Sequence, residues 1–392
     1  MKRTPGYLLQ PIAGTYFLLP YGQLIADQKR GISLNETGVY IWEQLEAEPS
    51  REELRREYLK RFQTQPGQED ELGRDLDGFL DRLTGLGLIE DGAPVRTGGG
   101  EPCAYLKIGG LTLSMHCPRR LIDAYGLKDF CTDVPDHIDQ RVRMFFGPPP
   151  RRANGLVLVR DRELVVCERE TDYLLIFPTL SRLREVSVSK DGADAVFYCD
   201  PPVDERLEYQ FFLALRLTFL YLAQTRRMYA IHSASILYRD RAWLFSAPSG
   251  TGKSTHVKLW EELYQTAVLN GDLNLLAVED GRPVVHGIPW CGTSQTFDTR
   301  TLPLGGIVLL RRAGQDAVEE LPPEQKALLV LQRFISPLWT APLLEEAARF
   351  AGQVAGEIAI CRLRCTKNPS AATVSKKWTD NVLALGAIQR KI

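Results

Sequence analysis

A chain of 392 residues, 44% apolar and 25% charged, has the composition of an ordinary soluble protein with core enough for two or three domains. Its 48 Lys and Arg balance 49 Asp and Glu, which excludes the strong overall bias that draws a protein to nucleic acid or anionic lipid. Eight scattered cysteines without zinc-site spacing, and an N-terminus without an apolar signal core, lead us to expect free thiols and a cytoplasmic location. The longest apolar stretch, 211–223, is interrupted by Arg216 and is too short to span a bilayer.

In chain order, residues 16–19 and 23–26 flank Pro20, Tyr21 and Gly22 and predict a hairpin, followed by a short strand near 31–34. Asn35 is placed to cap a helix over 36–47, with Val39, Ile41, Trp42 and Leu45 on its apolar side. Ser50 and Glu53 have the spacing of a capping box opening a second helix, lined by Leu54, Tyr58, Leu59 and Phe62. Leu72, Leu76, Phe79, Leu80 and Leu83 predict a third helix over 68–86. A hairpin with three helices is a winged-helix outline, a shape often used on DNA. Residues 1–91 nevertheless carry 11 basic against 16 acidic side chains, the wrong sign for a duplex-binding face. The run Leu34-Asn35-Glu36-Thr37-Gly38, then Ile41-Trp42, Phe79-Leu80 with Leu83, and Gly87-Leu88-Ile89-Glu90 resemble the PqqD family. That resemblance implies that residues 1–92 are a RiPP recognition element. It would take the leader of a ribosomal natural-product precursor as an added strand on the small sheet, against the third helix.

Residues 93–102, with Gly98-Gly99-Gly100, read as a flexible linker. Strand-like runs over 104–108, 111–115, 155–159, 164–167, 173–177 and 195–199 predict that 103–200 is a β-rich meander packed on the C-terminal domain. Pro148-Pro149-Pro150-Arg151-Arg152 reads as a stiff connection, and His116 with Cys117 has no further ligand nearby in sequence to make a metal site. Residues 203–226 predict a helix apolar on most faces, a prop behind the next sheet.

Residues 201–392 form the last predicted domain, organised around Phe245-Ser246-Ala247-Pro248-Ser249-Gly250-Thr251-Gly252-Lys253-Ser254-Thr255. A glycine-rich turn between a strand and a helix points successive backbone N–H groups into one hollow at the positive helix end, which suits phosphates. Ser249, Gly250, Thr251, Gly252, Lys253, Ser254 and Thr255 are therefore the expected nucleotide-binding residues, with Lys253 on the phosphates and Ser254 on Mg²⁺. The lysine side chain is expected to be exposed in the empty loop. Ala247 stands where the phosphate-loop pattern has its first glycine. Nineteen residues after Lys253, Asp272 closes an apolar run and is expected beside the loop as metal ligand or proton acceptor. Residues 230–237 and 242–245 predict an antiparallel hairpin leading straight into the loop, unlike the parallel strands of doubly wound nucleotide folds.

Ile231-His232-Ser233-Ala234, the hairpin, Pro248 to Ser254, Asp272, Gly287-Ile288-Pro289-Trp290-Cys291-Gly292 and the run after Pro303-Leu304 resemble the HPr kinase/phosphoenolpyruvate carboxykinase superfamily. The likeness is greatest to its branch of peptide serine kinases. It implies an α+β multidomain protein: the PqqD-like winged helix, the β-rich segment, then a mixed-sheet P-loop kinase core. It also brings His232 and His286 into the expected catalytic set with Asp272 and Lys253, and implies ATP and Mg²⁺. HPr kinases usually carry two adjacent aspartates where this chain has Gly271-Asp272. Arg300, Arg311 and Arg312 flank the next strand, and one of them could clamp the transferred phosphoryl group. The expected activity is ATP-dependent phosphorylation of a Ser or Thr hydroxyl of a precursor peptide captured by residues 1–92. A small-molecule kinase, or a nucleotide-binding leader-peptide scaffold without phosphotransfer, are the alternatives. Neither nucleic acid nor membrane is an expected partner, and a homo-oligomer is left open.

Overall fold

The structure, a computed structural model, describes residues 1–22, 31–62, 67–86, 88–90, 101–149 and 155–389. The chain divides into two compact units. One is Met1–Arg96 with Phe145–Pro150 and Tyr198–Pro201; the other is the remainder.

In the first unit two short strands, β1 (Lys2–Arg3) and β5 (Ile89–Glu90), pair antiparallel, and β2 (Tyr7–Ile12), β3 (Thr15–Pro20) and β4 (Ile32–Leu34) form a three-stranded sheet. The hairpin is thus one strand earlier than the sequence suggested. Its two-residue turn is Ala13-Gly14, both at positive φ, the geometry that matches strand twist. Ala-Gly is a weak signal for that turn, which is why β2 went unread. The partner proposed at 23–26 lies outside the described residues. Three helices come next: α1 (Glu36–Gln44, continued by a short 3₁₀ turn), α2 (Arg51–Phe62) and α3 (Glu69–Gly85). Asn35 accepts from the Gly38 N–H at 2.8 Å. Ser50 and Glu53 form the reciprocal box, with Glu53 N donating to Ser50 Oγ and Ser50 N to Glu53 Oε2. Leu18, Leu34, Ile41, Trp42, Leu76 and Leu80 meet in a core belonging to this unit.

The second unit holds two sheets. Strands β6 (Ala104–Ile108), β7 (Leu111–His116), β8 (Cys131–Thr132), β9 (Gln140–Phe146), β10 (Leu156–Arg160), β11 (Val165–Glu168), β12 (Asp172–Ile176), β13 (Leu183–Ser189) and β14 (Asp194–Cys199) make one sheet in the order 10-11-12-13-14-9-7-6-8. Only β10 to β14 are a meander, because β7 runs parallel to β9. Strands β9 and β13 were missed in the sequence because Arg141, Arg143, Arg184 and Glu185 interrupt their apolar residues. Helix α4 (Glu205–Thr225), capped by Asp204, leads out of this sheet.

The other sheet contains β15 (Tyr229–Tyr238), β16 (Arg241–Ser246), β17 (Ala267–Asn270), β18 (Leu273–Glu279), β19 (Arg282–His286), β20 (Thr301–Arg312), β21 (Ala317–Glu320) and β22 (Ala359–Cys365). Strand β15 turns into β16 through Arg239-Asp240, both at positive φ. Strand β16 then pairs parallel with β20, and β20 parallel with β22. Pairing of β16 with both β15 and β20 closes a circuit through β18 and β19. Helices α5 (Lys253–Tyr264) and α8 (Pro369–Gln389) contribute to one apolar cluster, with Trp260, Ala371 and Ala372. Helices α6 (Pro323–Leu331) and α7 (Ala341–Glu357) contribute to another, with Val330 and Phe350. The architecture is mixed α and β with several sheets. Among the described residues, no helix is long and apolar enough to cross a membrane.

Candidate functional site

The loop between β16 and α5 has Gly250 at φ 74° and Gly252 at φ 123°, conformations that only glycine adopts without strain. Ala247 is buried with no left-handed backbone, so its methyl group is tolerated where the pattern has glycine. Ser249 and Ser254 are exposed, and Thr251 and Thr255 partly so. Lys253 is not exposed as expected. Its side chain folds back under the loop, 8% accessible, with Nζ donating to the Ala247 carbonyl at 3.3 Å. Burial lowers its pKa, Arg333 acts the same way, and Asp272 opposes both. An ammonium has three donors, and this one has a single long bond, so the folded loop keeps unspent capacity for an acceptor.

Asp272 sits in the turn from β17 to β18, fixed by Asn270, whose Oδ1 accepts from the Asp272 and Leu273 N–H groups at 2.9 and 3.0 Å. The same Asn270 donates to the Ile288 carbonyl, tying the 287–292 segment to this turn. His232, on β15, reaches Asp272 Oδ1 through Nε2 at 3.2 Å, and Ser246 Oγ donates to the His232 carbonyl. The His232 bond holds the Asp272 carboxyl below the usual carboxylate range, against burial and with help from the charges of Lys253 and Arg216. The glycine at 271 has a steric cause. A Cβ there would lie 2.3 Å from Ser294 Oγ, and one at Gly292 would lie 2.8 Å from Asp272 Cβ. A second aspartate does not fit beside the first.

Two arginines complete the cluster. Arg216 comes from α4, between Phe212, which stacks on Trp290, and Phe219, which lies tilted against it; Trp290 Nε1 donates to the Phe212 carbonyl. Burial lowers the Arg216 pKa against the attraction of Asp272. Arg333 lies where its carbonyl accepts from His232 N at 2.8 Å. Neither guanidinium has a hydrogen-bonding or ion-pair partner among the described residues. Lys253 and Arg216 act on the Asp272 carboxylate, and the partly buried Arg333 acts on Lys253, so positive charge exceeds negative here and calls for an anion. In the sequence Arg216 stands out only as a break in an apolar run. A single charge inside such a helix was the available signal.

His286 is not brought to this cluster. It is 2% accessible at the end of β19, with Nδ1 against Thr301 Oγ1 at 2.8 Å and Nε2 3.3 Å from Glu279, and burial lowers its pKa. Pairing with Leu275 on one side and Thr301 on the other encloses it within the sheet. Of the three strand-flanking arginines, Arg300 pairs with Asp298 at 2.7 Å and Arg311 is exposed. Arg312 donates to the Gly250 and Thr251 carbonyls, bracing the loop. Among the described residues, no group of three or more His, Cys, Asp or Glu could hold a metal unaided.

Residues 22–89 match the family described as coenzyme PQQ synthesis protein D (PqqD). The N-terminal module is thus PqqD-like, in agreement with its sheet, three helices and separate core. A comparison with curated proteins finds no match for the chain.

Proposed function

We propose that this chain is an ATP-dependent kinase that phosphorylates a Ser or Thr hydroxyl of a ribosomally synthesised precursor peptide, whose leader is captured by residues 1–92. The observation that carries the reading is the excess of positive charge from the buried Lys253, from Arg216 and from the partly buried Arg333 near Lys253, at a loop with left-handed glycines beside the His232–Asp272 pair. Phosphoryl transfer asks a protein mainly to hold and neutralise the phosphates and to aim the acceptor hydroxyl.

In this reading the loop N–H groups and Lys253 cradle the phosphates, while Arg216 and Arg333 balance charge that builds on the transferred group. The acceptor oxygen bonds to the γ-phosphorus as the bond to the departing oxygen breaks, and the acceptor proton passes to Asp272. A carboxylate held ionised by His232 is a weak base, which suffices when the proton leaves late. His232 is a positioning residue, because it fixes the carboxylate. Mg²⁺, when bound, would supply further charge neutralisation, with Ser254 and Asp272 holding it.

The PqqD likeness supports leader capture. Among the described residues the small sheet has β2 and β4 at its edges, and Leu8 and Ile12 on β2 are exposed apolar side chains on one face, suited to an added peptide strand. The direct test is mass spectrometry of a precursor peptide incubated with the protein, ATP and Mg²⁺. A mass gain of one phosphate on Ser or Thr, dependent on the leader, is expected. ATP binding without any phosphopeptide would leave a scaffold, and turnover of small hydroxyl compounds alone would leave a small-molecule kinase.

A further inference from the structure

Beside the phosphate loop lies a cavity of about 250 Å³. Its walls come from the start of α5 and from the chain just past β20 and β22. Strands β16, β20 and β22 are parallel neighbours, so the cavity opens beyond their carboxyl ends, where open sheets with parallel strands collect ligands. Arg312 closes one side while holding the Gly250 and Thr251 carbonyls, and Ala313 N donates to the Cys365 carbonyl on the other. The far wall is stiffened by Asp316, which accepts from Thr366 N at 2.6 Å and from the Thr366 hydroxyl at 3.2 Å.

His256 lines this cavity from the first turn of α5. It is 2% accessible, stacks with Phe245, and its Nδ1 has no hydrogen-bonding partner. A buried polar nitrogen without a partner is destabilising, and it is rare in folded proteins unless a ligand completes it. Burial lowers the pKa of the ring against the pull of Asp316, which favours the neutral form that can meet an uncharged ligand edge.

We infer that this cavity receives the nucleoside end of the nucleotide whose phosphates the loop holds, with His256 paired to the polar edge of the base. The inference rests on the nucleotide-binding reading and adds where the base lies. The volume fits a flat base with part of its sugar and leaves no room for a second large ligand. Continuity through Thr251, Gly252 and Thr255, which belong to both loop and cavity, joins the base site to the phosphate site. The backbone loop alone recognises only phosphate. The cavity would therefore supply the difference between a nucleotide and a bare polyphosphate.

The test measures binding of ATP and of tripolyphosphate to the full chain and to two variants. Ala313→Trp fills the cavity, and His256→Phe keeps the ring volume and removes its nitrogens. The wild type is expected to bind ATP at least about tenfold more tightly than tripolyphosphate. Ala313→Trp should bring ATP down to the tripolyphosphate level and leave tripolyphosphate within about twofold, which also shows that the variant is folded. His256→Phe should weaken ATP by about fivefold, the worth of one ordinary hydrogen bond, and spare tripolyphosphate. Equal wild-type affinity for the two ligands, or unchanged ATP affinity in both variants, would overturn the base site and leave the phosphate loop standing. Absence of binding to either ligand would overturn the nucleotide reading itself.

Discussion

Replacing Lys253 with Met should make the protein more stable and inactive at once. Met keeps the buried aliphatic stem and removes an ammonium that has one bond, at 3.3 Å, and an arginine, Arg333, nearby. An unmet buried donor destabilises by about 1–3 kcal/mol, and the lost attraction to Asp272 offsets part of the gain. A net gain of about 1 kcal/mol remains, which for a unit of this size raises Tm by roughly 2–4 °C. ATP at a hundred times its Kd stabilises the wild type by about 2.7 kcal/mol, a shift of roughly 6 °C or more that the variant should lack. Turnover should fall by on the order of 10²-fold or more, as when other preorganised charges are removed. Thermal melts with and without Mg-ATP, run beside a phosphorylation assay, read all three quantities. A Lys253→Met protein that melts several degrees below wild type, or keeps its ATP-induced shift, would refute the argument that this lysine is held in wait for an anion.

Arg216→Met should fold normally and lower kcat more than it raises KM for ATP; loss of ATP binding with kcat intact would place Arg216 outside the transferring group. Gly271→Ala should destabilise by about 1–3 kcal/mol through overlap with Ser294, and Ser294→Gly should restore much of it, so additive losses in a double-mutant melt would reject the steric account. The pKa of His286 is lowered by burial, so the unfolded chain takes up the proton first. Stability should then fall as pH drops below about 6.5, and His286→Gln should flatten that slope in denaturant titrations. A precursor stripped of its leader should need far higher concentration for the same rate, because tethering holds the acceptor at roughly millimolar levels. Identical rate curves with and without leader would remove residues 1–92 from substrate capture.

Local signals carried much of the fold. Asn35, the Ser50–Glu53 box, the spacing of Leu72, Leu76 and Leu80, and the glycines at 250 and 252 act within a few residues of themselves, so reading the chain in order finds what they do. Strands β9 and β13 escaped because only the neighbours they meet in the sheet decide which of their alternating side chains are covered. The site divides in the same way. Sequence alone marked the loop, Lys253, Asp272 and His232, since each belongs to a recognisable local pattern. Only the tertiary structure decided that Lys253 is buried, that Gly271 must stay small under Ser294, and that His286 is enclosed between strands. It also brought Arg216 from a distant helix to the Asp272 carboxylate and Arg333 from a later segment to Lys253. Burial and charge balance are sums over neighbours far apart in the chain, and no run of residues contains those sums.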